Sequence, residues 1–292
     1  MAGRYRTVLA RLIVWASVLA GTVTLPGQVR AGEAVTWAVL DFPPFQIRVG
    51  DHRGSGSFDG LLDLLVRQIP EVDHDIVMMS FARREEEIRQ GRPLCTPGLF
   101  RTPAREKLLV FSLPALIHLD NRLVIRAAQA SRLKAQGPVD LEALLADQKL
   151  IGGIISERSF APNIDPLLRR YSGAPNLVMR SIKSSQVFEM LMTGEIDYTI
   201  LFPHEAAYLA GTPERLEAVR VLPIAGTPPY IFTHVACTKG PWGEAMIARI
   251  DTILQGSRRN QDYRAFSERW YVESDKALIR QYYPNMLLAH PR

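Results

Sequence analysis

Leu94–Pro114, LCTPGLFRTPAREKLLVFSLP, is the stretch from which the rest of the chain is read. Leu94, Cys95, Leu99 and Phe100 form a short apolar run interrupted by Pro97 and Gly98, and this predicts a buried strand. Arg101-Thr102-Pro103-Ala104-Arg105 follows as a polar turn, its backbone fixed at Pro103. Leu108 to Leu113 predict a second buried strand, which Pro114 is expected to end. A guanidinium on a short turn after a central strand is well placed to grip a carboxylate, because its fork donates two parallel hydrogen bonds. Arg101 and Arg105 are the candidates, and the competing reading makes both solvated surface charges.

Outward from this stretch, strands and helices alternate. Ala34 to Leu40 predicts a strand running into the rigid loop Asp41-Phe42-Pro43-Pro44-Phe45, where one phenylalanine is expected to face a cleft. Phe58, Leu61, Leu62, Leu65 and Ile69 recur at helical spacing. His74 to Met79 is a strand, and Ser80 is placed to cap a helix from Phe81 to Gln90. Beyond the opening stretch come strands at 121–126, 149–155, 176–182, 196–201, 219–224 and 230–237. Asp140 caps one intervening helix, Ser184 or Ser185 another, and Thr212-Pro213 starts a third. Long helices fill the end, the last expected to begin near Ser274 and stop before Pro284. Such alternation argues for open, mainly parallel sheets flanked by helices, with ligands at the carboxyl ends of strands. Phe45, Thr102 to Arg105, Arg158-Ser159 and Phe202 each follow a predicted strand.

The chain has 292 residues, 35 Lys+Arg and 30 Asp+Glu. Arg4, Arg6 and Arg11 precede an apolar run from Leu12 to Ala20, and Val29-Arg30-Ala31 offers a small-residue cleavage site. Residues 1–31 therefore read as a cleavable secretory signal peptide. Four basic residues and no acidic one lie before Gly32, so the remainder carries a net charge of only +1. The pI of 9.3 is accordingly no nucleic-acid signal. Cys95 and Cys237 are the two cysteines. In an exported protein they suggest one disulfide, with two buried free thiols as the open alternative.

The six histidines show no metal-ligand spacing, and no phosphate loop or nucleophile elbow is present. No metal or cofactor is expected. His204 reads as a surface histidine, and Glu85-Glu86-Glu87 as a solvated helix face.

Several segments together carry a family resemblance. They are WAVLDFPPF (37–45), GLFRTPAREKLLVFSLP (98–114), LMTGEIDYTI (191–200), HVACTKG (234–240) and AFSERWY (265–271). In this order they resemble the family 3 extracellular solute-binding proteins, the periplasmic receptors of polar amino-acid uptake. The match is similar to a proteobacterial branch with paired prolines and two cysteines. The resemblance implies a type II periplasmic-binding-protein fold: two lobes, each with a mainly parallel sheet, joined by two crossing hinge strands. Lobe 1 would hold residues 32–117 plus 234–292, and lobe 2 residues 118–233. Cys95 and Cys237 would then lie on neighbouring strands of lobe 1, as a disulfide.

The resemblance also implies a binding set. Arg105 falls on the family's carboxylate-binding arginine, Thr102 on its threonine and Phe45 on the aromatic that covers the ligand, with Arg101 beside them. Arg158 and Ser159 fall near the second lobe's anion site, although the glycine-threonine pattern is absent there. Phe202 stands where the family usually has an aspartate for the ligand's ammonium. It can offer a π face but no ion pair, which argues against ordinary α-amino acids. The expected function is a monomeric periplasmic receptor that closes on a small carboxylate-bearing ligand. It would serve an inner-membrane ABC permease or a sensor. The alternative is an enzyme on the same scaffold, similar to cyclohexadienyl dehydratases, for which Asp41, Glu157 and Glu205 are the available cleft acids.

Overall fold

The computed structural model describes residues 34–133, 137–156 and 158–289. The signal-peptide reading of 1–31, and Glu157, lie outside them. Among the described residues ten strands are formed: β1 Ala34–Val39, β2 Asp73–Met78, β3 Cys95–Leu99, β4 Leu109–Leu119, β5 Arg122–Arg126, β6 Gly152–Ile155, β7 Leu177–Arg180, β8 Tyr198–Leu201, β9 Val219–Pro223 and β10 Tyr230–Thr238. The helices are α1 Ser57–Gln68, α2 Phe81–Arg89, α3 Pro103–Glu106, α4 Leu141–Ala146, α5 Asp165–Arg170, α6 Ser184–Thr193, α7 Pro203–Ala210, α8 Pro213–Glu217, α9 Pro241–Ser257, α10 Gln261–Glu268 and α11 Glu273–Leu288.

These strands make two five-stranded sheets, ordered β2-β1-β3-β10-β4 and β7-β6-β8-β5-β9. In the first, only β10 opposes the other four; in the second, only β5 does. The two opposing strands are those that arrive from the other sheet. Only Asp120 and Asn121 separate β4 from β5. A parallel neighbour needs a crossover to carry the chain back, whereas a strand entered directly from the other lobe inserts the opposite way round.

Period-2 alternation sorts each sheet's side chains onto two faces. In the first sheet Val35, Trp37 and Val39 pack with Leu61, Leu65, Met246 and Ile250 of α1 and α9. Ala38, Leu94 and Leu99 meet Ile88 of α2 on the other face. In the second, Leu123 and Ile125 face Leu144 and Leu168, while Val124 faces Phe188 and Leu191. Cys95 and Cys237 are register partners on β3 and β10 and form a disulfide.

Three sequence expectations fail at element ends. Pro114 does not end its strand, because β4 is a sheet edge and Pro114 lies opposite His234 at a register shift, where the ladder is already irregular. Helix α6 is not capped by a serine side chain; Lys183 is the N-cap, and its N–H donates to the Gln186 side chain at 2.9 Å. Helix α11 starts after Val272 and runs through Pro284. Buried Ile279, Tyr283 and Met286 hold its inner face, and Arg258 donates to the Met286 carbonyl at 3.1 Å.

Candidate functional site

A cavity of about 40 Å³ lies where the two lobes meet. The first lobe contributes Phe42 and Phe45 from the loop after β1, Phe58 of α1, Phe81 and Arg84 of α2, and Phe100 and Arg105 after β3; the second contributes Arg158, Ser159 and Phe202. An outer groove of about 740 Å³ shares Arg105, Arg158 and Ser159 with this cavity and opens between α2 and α5. The inner space suits one or two water-sized groups and is well below the roughly 300 Å³ of ordinary ligand pockets. The lobes are thus closed on each other: Phe202 is 3% exposed and packs into the first lobe's core.

Local chemistry sets each wall. The Phe45 N–H donates to Phe42 O at 2.9 Å and its carbonyl accepts from Phe58 N at 2.7 Å, which fixes the ring against Phe202, centroids 4.9 Å apart. The Thr102 hydroxyl accepts the Arg105 N–H at 3.3 Å as N-cap of α3, with Pro103 at the first helical position. The Arg105 guanidinium donates to Phe100 O at 3.3 Å and to Glu85 Oε1 at 3.1 Å. Among the described residues its other side-chain N–H groups have no hydrogen-bond acceptor, and its side chain is 14% exposed.

Glu85 also accepts from Arg84 Nη2 at 2.9 Å. Burial raises the Glu85 carboxyl, but Arg84 and Arg105 outweigh it and hold the group below the usual carboxylate range. Glu85 is therefore no solvated-face residue, as the Glu85-Glu86-Glu87 run suggested. It is the shared counter-ion of two arginines.

Across the cleft, Arg158 donates to both oxygens of Glu205, at 2.9 and 2.8 Å. Its guanidinium lies 4.9 Å from the Phe42 ring, 4.7 Å from Phe160 and 5.5 Å from Phe202. The Ser159 hydroxyl donates to Asp165 at 2.6 Å, and the same carboxylate accepts the Phe160 N–H at 2.7 Å. The chain's own Asp165 thus occupies the anion position expected near Ser159. Behind the cleft, His118 of β4 and His204 of α7 stack at 5.7 Å, and both touch Phe45. Among the described residues, His118 Nδ1 and both ring nitrogens of His204 lack a hydrogen-bond partner. Burial drives His118 down to about 3 and His204 well below the imidazole range, and it raises Asp120 at the crossing to about 6.

No family model matches the chain, and no curated protein does. Solved structures do. The periplasmic VFT2 domain of Bordetella pertussis BvgS superposes with TM-score 0.58 at 23% identity, covering 82% of this chain and 93% of that one. A histidine kinase sensor domain similar to periplasmic binding proteins gives 0.63 at 16%, covering 82% and 95%. AbpA, an amino acid ABC transporter substrate-binding protein from Streptococcus pneumoniae bound to L-arginine, gives 0.62 at 17%, covering 82% and 94%.

The chain has the type II periplasmic-binding-protein fold.

This is the fold that the family 3 resemblance implies. Within this binding-protein fold the structure gathers Phe45, Arg105, Arg158, Ser159 and Phe202 around one cavity. Arg101 and Thr102 line neither the cavity nor the groove. Arg101 Nε donates to Glu106 at 2.5 Å, while Thr102 serves as the cap. The sequence reading missed α7, and with it the burial of His204 and Glu205. The signal was present: Pro203 directly after a strand is a first helical position, and Glu205 stands where a third helical residue reaches back to the N-cap N–H. That bond is formed, from Phe202 N to Glu205 at 3.2 Å. Arg84 carried no such signal, since one arginine in a helix rich in charge looks solvated.

Proposed function

We propose that the chain is a periplasmic receptor whose lobes, residues 32–117 with 234–292 and residues 118–233, close on a small carboxylate-bearing ligand held by Arg105. The observation that carries this reading is the Arg105 guanidinium, capped in place on α3 at the junction of cavity and groove with donors to spare. The aromatic floor supports a receptor over an enzyme. Among the described residues lining the cavity there is no Asp or Glu. Glu85 beside Arg105 is held ionised, which is the wrong state for a general acid. Both oxygens of Glu205 are occupied by Arg158. The likeness to transporter and sensor modules supports an ABC permease or a sensor as partner, and the chain is read as exported and monomeric.

The test is a thermal-shift screen of small organic acids, followed by Arg105→Ala. A ligand at a hundred times its dissociation constant stabilises by about 2.7 kcal/mol. The variant is expected to lose that shift for every hit. A hit that stabilises Arg105→Ala as strongly as the parent would make the guanidinium structural.

A further inference from the structure

Among the described residues, the cavity wall holds more positive charge than its fixed partners neutralise. Arg84, Arg105 and Arg158 all line it. Glu205 matches Arg158. Arg84 and Arg105, however, share a single carboxylate oxygen, Glu85 Oε1, at 2.9 and 3.1 Å. One positive charge is left over. Arg84 is 3% exposed, and its Nε has no hydrogen-bond partner among the described residues. A buried donor left without an acceptor is unfavourable, more so on a charged group, so the wall favours a guest that brings an acceptor. Six phenylalanines supply much of the remaining lining. With the lobes closed there is room for little more than a carboxylate, so a hydrocarbon body requires the lobes to part; the rings then suit it and offer a buried ammonium ion no charged partner.

Resting on the reading of Arg105 as ligand-binding, we propose that Arg84 is a second ligand-binding cation, and that the guest is an organic anion with one carboxylate, an apolar body and no ammonium group. The guest's carboxylate takes donors from both arginines and supplies the negative charge that Glu85 alone does not. Glu85 then acts as a competitor that sets the affinity. An α-amino acid would add a buried cation to a wall that already carries an excess of one.

The experiment compares matched pairs that differ by the α-ammonium: acetate with glycine, propionate with alanine, and 3-phenylpropionate with phenylalanine. Titration calorimetry on the parent chain at low salt should give at least one acid that binds tenfold or more tightly than its amino-acid partner. For that acid, Arg84→Gln should weaken binding by about ten- to a hundredfold, and Arg84→Lys by less. Glu85→Gln should tighten it severalfold, a gain that a purely structural role for Arg84 would not produce. Amino acids binding as well as the acids in every pair would overturn the ligand class, with no variant needed. Arg84→Gln and Glu85→Gln both leaving the affinity unchanged, while Arg105→Gln abolishes it, would remove Arg84 from the site and leave the Arg105 reading standing. Undiminished binding to Arg105→Gln would overturn that underlying reading, and binding of none of the six compounds would overturn both.

Discussion

Both carboxylate oxygens of Glu205 lie against the Arg158 guanidinium, with the two side chains 0% and 2% exposed. The pair ties the loop after β6 to the first turn of α7, and Phe42 of the other lobe covers its cation. Deleting one partner of such a pair strands a buried charge, whereas an apolar pair of similar volume is tolerated. Glu205→Gln should therefore lower the unfolding free energy by about 3 kcal/mol, and the double variant Arg158→Met, Glu205→Leu should recover most of it. Urea unfolding measures both. A single variant within 1 kcal/mol of the parent would mean that the guanidinium finds water on its own.

Acid should destabilise the fold through its buried imidazoles. Burial lowers His118 to about 3 and His234 to about 4, and takes His204 well down. In the unfolded chain these groups protonate near pH 6.5. Their contribution is thus complete above about pH 6.5 and is lost as the pH falls toward the folded-state values. Asp120 works in the opposite sense, since burial raises it to about 6. Its contribution is present below about pH 4 and is lost as the pH rises through 6. Burial also raises Asp59, Asp251 and Asp275, which act in the same sense as Asp120, while arginine partners lower Glu85 and Glu268 and act in the opposite one. The three deeply lowered histidines dominate between pH 6 and 5, so stability should fall below about pH 6, each histidine adding up to roughly 1.4 kcal/mol per pH unit. His204→Phe should flatten the profile and Asp120→Asn steepen it, as read from urea midpoints at pH 7, 6 and 5. A parent curve flat over that range would show that the imidazoles reach solvent.

Gly98 adopts a φ of +79°, and a Cβ there would sit 2.0 Å from the Phe58 ring. Left-handed backbone alone disfavours alanine by about 1–2 kcal/mol, and the clash with a packed ring adds about as much again. Gly98→Ala should lose at least 2 kcal/mol, and pairing it with Phe58→Leu should restore only the steric part. Equal stability of Gly98→Ala and the parent in thermal unfolding would contradict the close approach.

Cys95 and Cys237 are 142 residues apart in sequence and close a loop that includes the whole second sheet. Losing a cross-link over so long a loop should reduce stability by about 2–5 kcal/mol. The Cys95→Ser, Cys237→Ser variant and the reduced parent should show matching drops in urea midpoint. An unchanged midpoint in both would mean that the unfolded chain gains little freedom from the cut.

Much of this architecture was legible along the chain. Apolar runs such as Ala34 to Leu40, and helical spacing such as Leu61, Leu62 and Leu65, depend on neighbours in sequence, so the strand-helix order could be read directly. Caps at Ser80, Asp140 and Thr212 are likewise local, each accepting the N–H three residues on. Pro114 and Pro284 misled because a proline's effect depends on what lies opposite it: an edge position at a register shift in one case, a packed helix face in the other. The turn carrying Arg105 was readable for the same reason as the caps, since Thr102 and Pro103 define it from within.

Composition and pattern alone thus determined an alternating α/β chain with an arginine turn after a central strand and phenylalanines at strand ends. Only the folded molecule decided which charges are paired. Glu85 is 20 residues from Arg105, and Glu205 is 47 from Arg158. Periodicity indicates which side of an element is buried. Coulomb energy depends on distance through space, and that distance exists only once two separate sheets have been brought together.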